Sequence, residues 1–215
     1  MNTIFLNGSP KGKNGNSEIF TRQFFKDMKD LYEIKYIVKE NPEQLAKYVE
    51  SFDAIIIFMP VYVHAMPGVV MKFIEHLKPA VISGKAMGFI IQAGFPETAQ
   101  EKFIGNYFSV LAKELNYEYL GTVSKGDAAD TYMKPKFMVK KLFKQLNDLG
   151  RIYERTGAFN KEITEKLGQP YQLTKLQARF FQFMYQSGID KIGWHKFLNG
   201  NYAYDKRLDR PFVNQ

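Results

Sequence analysis

Ten residues near the N-terminus, Gly8-Ser9-Pro10-Lys11-Gly12-Lys13-Asn14-Gly15-Asn16-Ser17, carry the side chains of an anion-binding loop. Ser9, Asn14, Asn16 and Ser17 offer neutral donors, Lys11 offers a cation, and the glycines let backbone N–H groups turn toward one point. The run before the loop, Thr3-Ile4-Phe5-Leu6, is short, apolar and partly β-branched, whereas the segment opening at Ser17 places Ile19, Phe20, Phe24 and Met28 on one helical face. Strand, loop and helix in that order aim the positive end of the helix at the loop, where a phosphate is stabilised. No Gly-Lys-Ser/Thr closes the loop to hold nucleotide phosphates and magnesium, and the spaced Gly-x-Gly-x-x-Gly of a pyrophosphate turn is absent. Neutral donors in this number suit a single terminal phosphate. Taken alone, the same residues also describe a solvated turn with Ser17 as an ordinary helix N-cap.

Two further loops have unusual chemistry. One is Met59-Pro60-Val61-Tyr62-Val63-His64-Ala65-Met66-Pro67-Gly68 and the other Gln92-Ala93-Gly94-Phe95-Pro96-Glu97-Thr98. Each combines rigid Pro and Gly with aromatic or apolar residues, a poor composition for a solvated turn and a good one for a flat apolar ring edged by backbone amides. A phosphate at the first loop and a ring at the other two describe a mononucleotide.

The elements that would position these loops alternate along the chain. After the first strand and helix, Glu33 to Val38 alternates like an edge strand, and Glu43 to Phe52 is helical through Leu45, Tyr48 and Val49. Ala54-Ile55-Ile56-Ile57-Phe58 is continuously apolar, as a strand buried on both faces must be, and Ala86 to Ile91 is a second such run. Helices are expected over Val69–Leu77, over a face made by Phe103, Tyr107, Phe108, Leu111 and Leu115, and over Phe137–Tyr153, with a fifth strand at Tyr117–Ser124. This order predicts an α/β fold, a doubly wound five-stranded parallel sheet with helices on both faces, over residues 1–157. Ligands of such sheets lie outside the carboxyl ends of the strands, which brings the three loops together. Residues 158–215 form a helical C-terminal extension. Leu176, Phe180, Phe183, Met184, Trp194, Phe197, Leu198, Tyr202, Tyr204 and Phe212 give it enough apolar mass to require packing on the domain or on a dimer partner.

Composition narrows the function classes. The 215 residues include no Cys, which excludes disulfides, iron–sulfur clusters and thiol nucleophiles and fits a reducing compartment. No run approaches the roughly 20 apolar residues of a membrane helix and no secretory leader is evident, so a cytoplasmic protein is expected. The net charge of +8 is uneven: residues 1–125 hold 14 Lys+Arg against 13 Asp+Glu, and residues 126–215 hold 16 against 9. Without a recognisable nucleic-acid module, that basic half reads as a solvated surface or a field for a phosphorylated cofactor. Three scattered His without an acidic cluster give no catalytic metal, and Gly8-Ser9-Pro10 is no nucleophile elbow.

Gly8-Ser9-Pro10 with Asn16-Ser17, together with Pro60-Val61-Tyr62 and Met66-Pro67-Gly68, resembles the flavodoxin-like NAD(P)H-dependent FMN reductase and quinone reductase superfamily over about residues 1–125. The resemblance implies FMN as cofactor, its phosphate held by Ser9, Lys11, Asn14, Asn16 and Ser17. It further implies that ribityl and isoalloxazine lie against Pro60, Val61, Tyr62, Val63 and His64 and against Ala93, Gly94, Phe95 and Glu97. NADPH or NADH is the implied electron donor, a quinone, azo, nitro or flavin compound the small-molecule acceptor, and a homodimer the implied assembly. Two departures stand out: the Gln92–Glu97 loop lacks the common Gly-Gly form, and the tail is longer than the minimal fold needs.

In that setting the flavin carries the redox chemistry and no catalytic side chain is required. His64 is the one candidate proton donor, backbone N–H groups near Gly94 and Phe95 would meet negative charge on the ring, Tyr62 could cover it and Phe95 stack on it. Each also has a plainer role: Tyr62 and Phe95 as packing, His64 as the partner of a backbone carbonyl, Glu97 as a helix-start acid. Two other functions remain open on the sequence, a flavodoxin-type electron carrier and a flavin-free regulatory or interaction protein.

Overall fold

The computed structural model describes residues 1–30 and 32–210; Phe212, among the expected apolar contacts of the tail, lies outside them. Five strands, β1 (Thr3–Asn7), β2 (Glu33–Tyr36), β3 (Ala54–Pro60), β4 (Ala86–Gln92) and β5 (Glu118–Lys125), form one sheet in the order β2-β1-β3-β4-β5. All four pairings are parallel. The continuous apolar runs occupy the middle, as burial on both faces requires, and β2 and β5 take the edges. The expected doubly wound, flavodoxin-like architecture is thus present.

Alternation along the strands sends side chains to two separate cores. Ile4, Leu6, Ile55, Ile57, Met87, Phe89 and Ile91 face α2 (Pro42–Val49), α3 (Gly68–Glu75) and α4 (Lys102–Glu114). Phe5, Ile56, Phe58, Ile90 and Val123 face α1 (Asn16–Phe25), α5 (Lys136–Thr156) and α6 (Lys161–Leu167). Local sequence sets the helix ends: Asn41 caps α2 through Gln44 N–H at 3.0 Å with Pro42 in the first turn, and Asn160 caps α6 through Ile163 N–H at 3.0 Å.

Two expectations need correcting. The strand expected over 33–38 ends at Tyr36, because Ile37 turns inward in a short 3₁₀ segment, Ile37–Lys39, and is buried. On α4 the buried stripe is Ile104, Phe108 and Ala112, whereas Phe103 and Tyr107 point to solvent. Both stripes have helical spacing, so periodicity alone could not choose between them.

The chain divides into compact units Met1–Gln172 and Leu173–Gln215, so α6 belongs with the sheet and the first unit extends beyond residue 157. The second unit holds α7 (Lys175–Ser187), opened by a Thr174/Gln177 capping box, and α8 (Ile189–Gly200). Leu176, Phe180, Phe183 and Trp194 are exposed, Met184 is half-buried and Leu198 is buried. Among the described residues, no helix is long and apolar enough to cross a membrane.

One close approach fixes α5 against α1: a Cβ on Gly150 would collide with the Phe24 carbonyl group. Gly150→Ala is therefore expected to cost about 1–3 kcal/mol by overpacking, read as a lower melting temperature with unchanged far-UV circular dichroism.

Candidate functional site

The loop after β1 is braced from beneath by the strand's last residue. Asn7 is fully buried; its Oδ1 accepts from Ser9 N–H at 3.0 Å and its Nδ2 donates to Glu18 Oε2 at 3.3 Å. Glu18 also accepts from Tyr36 Oη at 2.8 Å and from Arg22 Nε at 2.9 Å. Burial first, and then the bond to Glu18, push the Tyr36 hydroxyl up to about 12. Ser9 Oγ accepts from Lys11 N–H at 3.2 Å, and Gly12 takes a left-handed φ of 52° that folds the loop back toward α1. A Cβ on Gly15 would stand 2.5 Å from Ser9 Oγ, so glycine there is a packing requirement. The amides of Asn16 and Ser17 at the start of α1 have no acceptor in their own helix, whereas Glu18 N–H donates to Gly15 O at 3.1 Å, and the two free amides make the loop an anion cradle.

The loops after β3, β4 and β5 are stitched to this one. Val61 N–H donates to Gln92 O at 2.8 Å, Ala93 N–H to Lys125 O at 3.0 Å and Ala128 N–H to Ala93 O at 2.9 Å. Asn16 Nδ2 donates to Ala128 O and Ala129 O at 2.7 and 2.8 Å, tying the start of α1 to the loop after β5. Together they enclose a cavity of about 320 Å³, lined by Ser9, Lys11, Asn14, Gly15, Asn16, Pro60, Val61, Tyr62, Gln92, Ala93, Gly94, Ala128, Ala129 and Tyr132. That volume lies within the usual range for small-molecule sites.

Nine of the residues expected from sequence line this cavity: Ser9, Lys11, Asn14, Asn16, Pro60, Val61, Tyr62, Ala93 and Gly94. Ser17 lies behind it, its buried hydroxyl accepting from Gln92 Nε2 at 3.1 Å. Val63, His64, Phe95 and Glu97 are outside the lining. Val63 and His64 form the tip of a tight turn closed by Tyr62 and Ala65, both with left-handed φ (47° and 65°), and Val63 is 90% exposed. A β-branched residue in that region stores strain, which the paired Tyr62 and Ala65 backbones hold in place. His64 Nδ1 lies 3.0 Å from Gln100 O, the plainer of the two roles foreseen for it. Phe95 is 60% exposed, and Glu97 precedes a 3₁₀ turn, Thr98–Glu101.

Ala128, Ala129 and Tyr132 escaped the sequence reading, and Gln92, which opens the loop read as a ring wall, was not among the expected site residues. Gln92 carried a signal, a polar residue ending a wholly apolar central strand; the alanines had none, because their contribution is backbone position. Two buried acceptors in the cavity wall, Asn16 Oδ1 and Gln92 Oε1, have no partner among the described residues. The amides of Gly94 and Phe95 likewise have no acceptor there. Buried polar atoms are ordinarily paired. This set of orphan acceptors, free amides and one Lys fits a ligand bearing hydroxyl donors, an anion and a polar-edged ring, which is the inventory of FMN.

Residues 1–102 match the family model described as NADPH-dependent FMN reductase. No curated protein matches the chain. Solved structures with a similar fold include an NADPH-quinone reductase from P. pentosaceus, 16% identical, with a TM-score of 0.54, covering 68% of this chain and 95% of that one. An FMN-dependent NADH-azoreductase from Bacillus anthracis, in complex with FMN, is 13% identical with a TM-score of 0.53 and coverages of 72% and 100%. General stress protein 14 from Treponema denticola, also with FMN, is 10% identical with a TM-score of 0.55 and coverages of 72% and 98%. At these identities the likeness is one of fold.

The 3₁₀ turn that carries Gln100 also buries Glu101, and desolvation pushes its carboxyl up to about 7, against partial pulls from Ser124 and Lys125. An acid raised in the folded state favours folding while protonated, so this contribution is complete below its ordinary 4.5 and is lost as pH rises through about 7. Thermal or urea unfolding should show about 3 kcal/mol of stability disappearing over that window, and Glu101→Gln should remove this component of the slope.

Proposed function

We propose that this chain, whose residues 1–102 match the NADPH-dependent FMN reductase family, is an FMN-dependent NAD(P)H oxidoreductase that reduces a small-molecule acceptor. The observation that carries this reading is the meeting of four strand-end loops in one cavity, lined by Ser9–Asn16, Pro60–Tyr62, Gln92–Gly94 and Ala128, Ala129 and Tyr132. When bound, FMN accepts hydride from NADPH or NADH and passes electrons to an acceptor such as a quinone, azo, nitro or flavin compound.

The chain's own residues bind, orient and shield. Lys11, Asn14 and the backbone amides of Asn16 and Ser17 hold the phosphate, while Asn16 Oδ1, its Nδ2 spent on Ala128 and Ala129, is left to accept from a ligand hydroxyl, and Ser9 braces the loop through the Lys11 amide. Ser17 supports them from behind by fixing Gln92, whose Oε1 is left to accept from a ribityl hydroxyl. Pro60, Val61 and Tyr62 line the ring site with the adjoining Ala93 and Gly94; the amides of Gly94 and Phe95 offer donors to negative charge on the ring. Val63 and His64 follow the lining residue Tyr62 in a strained turn that holds the His64 ring beside Gln100, and Glu97 follows Phe95 on the loop after β4. Exposed Val63, Tyr62, Phe95 and Tyr132 around the mouth support a homodimer that covers this rim. The absence of Cys fits a reducing, cytoplasmic setting.

The purified protein, given FMN, should retain a yellow chromophore that bleaches on anaerobic addition of NADPH or NADH. Retention without bleaching would identify an electron carrier instead, and failure to take up FMN would remove the reading altogether. Lys11→Ala should weaken FMN affinity by about 1–2 kcal/mol. Gly15→Ala should weaken it at least as much by displacing Ser9, with circular dichroism unchanged.

A further inference from the structure

A second cavity, of about 520 Å³, opens between the start of α4, β5 and α6, with Glu101, Asn106, Tyr119, Ser124 and Thr164 in its lining. Glu101 is only 2% exposed; the Ser124 hydroxyl on β5 draws on its carboxyl, but neither oxygen is closed by a hydrogen bond of good geometry, and buried Thr164 Oγ1 is also unpartnered. Other carboxylates of the same molecule are treated differently. Glu18 is closed by Asn7, Arg22 and Tyr36, and Glu154 Oε1 by the amides of Lys29 and Asp30 at 2.6 and 2.9 Å. A buried carboxylate with both oxygens open is expensive to keep, and a structural role would have closed it.

The surroundings define what would close it. Charged groups near Glu101 are Lys102 on its own segment, Lys125 on β5 and Glu165 on α6; none forms an ion pair with it among the described residues. A metal ion is poorly served, because no three His, Asp, Glu or Cys gather among the described residues. An anion would meet the carboxylate head-on. Two open oxygens in one plane match the parallel N–H pair of a guanidinium, which is also more weakly hydrated than an ammonium and so easier to bury. The Tyr119 ring, whose hydroxyl is engaged by Thr122 at 2.6 Å, leaves an apolar wall for an alkyl stem.

We propose that this cavity binds an alkylguanidinium group, from a free small molecule or an arginine side chain, with Glu101 taking its N–H pair and Thr164 a third N–H. The site is separate from the flavin reading and goes beyond it.

The test is isothermal titration of butylguanidinium chloride into the full chain loaded with FMN, with butylurea as the neutral isostere. Flavin absorbance in the same sample reports the other site, so failure of one is distinguishable from failure of the other. Wild type should bind butylguanidinium and not butylurea, and Glu101→Gln should weaken binding at least about tenfold. With the carboxyl titrating at about 7, affinity in wild type should rise about tenfold between roughly pH 6 and pH 8 as Glu101 ionises, and stay flat in Glu101→Gln. Thr164→Val should weaken binding several-fold, an arm that stands even if Glu101→Gln folds poorly. Tighter binding of a blocked Gly-Arg-Gly peptide than of butylguanidinium would assign the source to an arginine side chain. No binding at saturating butylguanidinium, or equal binding of butylurea or by Glu101→Gln, overturns the proposal.

Discussion

The Gly8 amide donates to the Phe58 carbonyl at 2.8 Å, and the rest of the site depends on that bond. It holds the end of β1 against the end of β3 at the point where their following helices depart to opposite faces, α1 to one and α3 to the other. A Cβ at residue 8 would stand 2.5 Å from Val70 Cγ2 and 3.2 Å from Met59 Cβ, so only glycine lets the two loops leave side by side. The crevice is the space between those departures. Its depth follows from five parallel strands ending together, and its chemistry from which residues stand on the four loops.

The polar framework under the crevice repeats one device. Asn7, Ser17 and Gln92 are buried polar residues at the ends of strands or the start of a helix; Asn7 spends both amide atoms on the scaffold, whereas Gln92 spends its nitrogen on Ser17 and leaves its oxygen open. Asn16 does the same from a half-buried position, bonding Ala128 and Ala129 with its amide nitrogen while its oxygen remains open. Such partly used groups make a rigid wall whose unmet valences face inward. Glu101 is the same device at a second place, more costly because the group is an acid.

How much was legible in the sequence followed from the physics of each element. β1, β3 and β4 could be read because strands buried on both faces admit only apolar residues, and the glycine- and hydroxyl-rich loop could be read because few other compositions cradle an anion. The faces of α4 could not, since Phe103 and Tyr107 repeat at the same interval as Ile104 and Phe108. Ala128 and Ala129 act through carbonyls that Asn16 finds across more than a hundred positions, and nothing in an alanine announces that. The left-handed turn at Val63 and His64 runs against local preference, as happens where a site imposes its own geometry.

A crystal structure of the protein grown in excess FMN tests the central claim most directly. The account predicts density for the phosphate against the first turn of α1 and for the ring between Pro60–Tyr62 and Ala93–Gly94. Density for FMN elsewhere, or a crevice filled by the chain's own side chains at saturating cofactor, would contradict it.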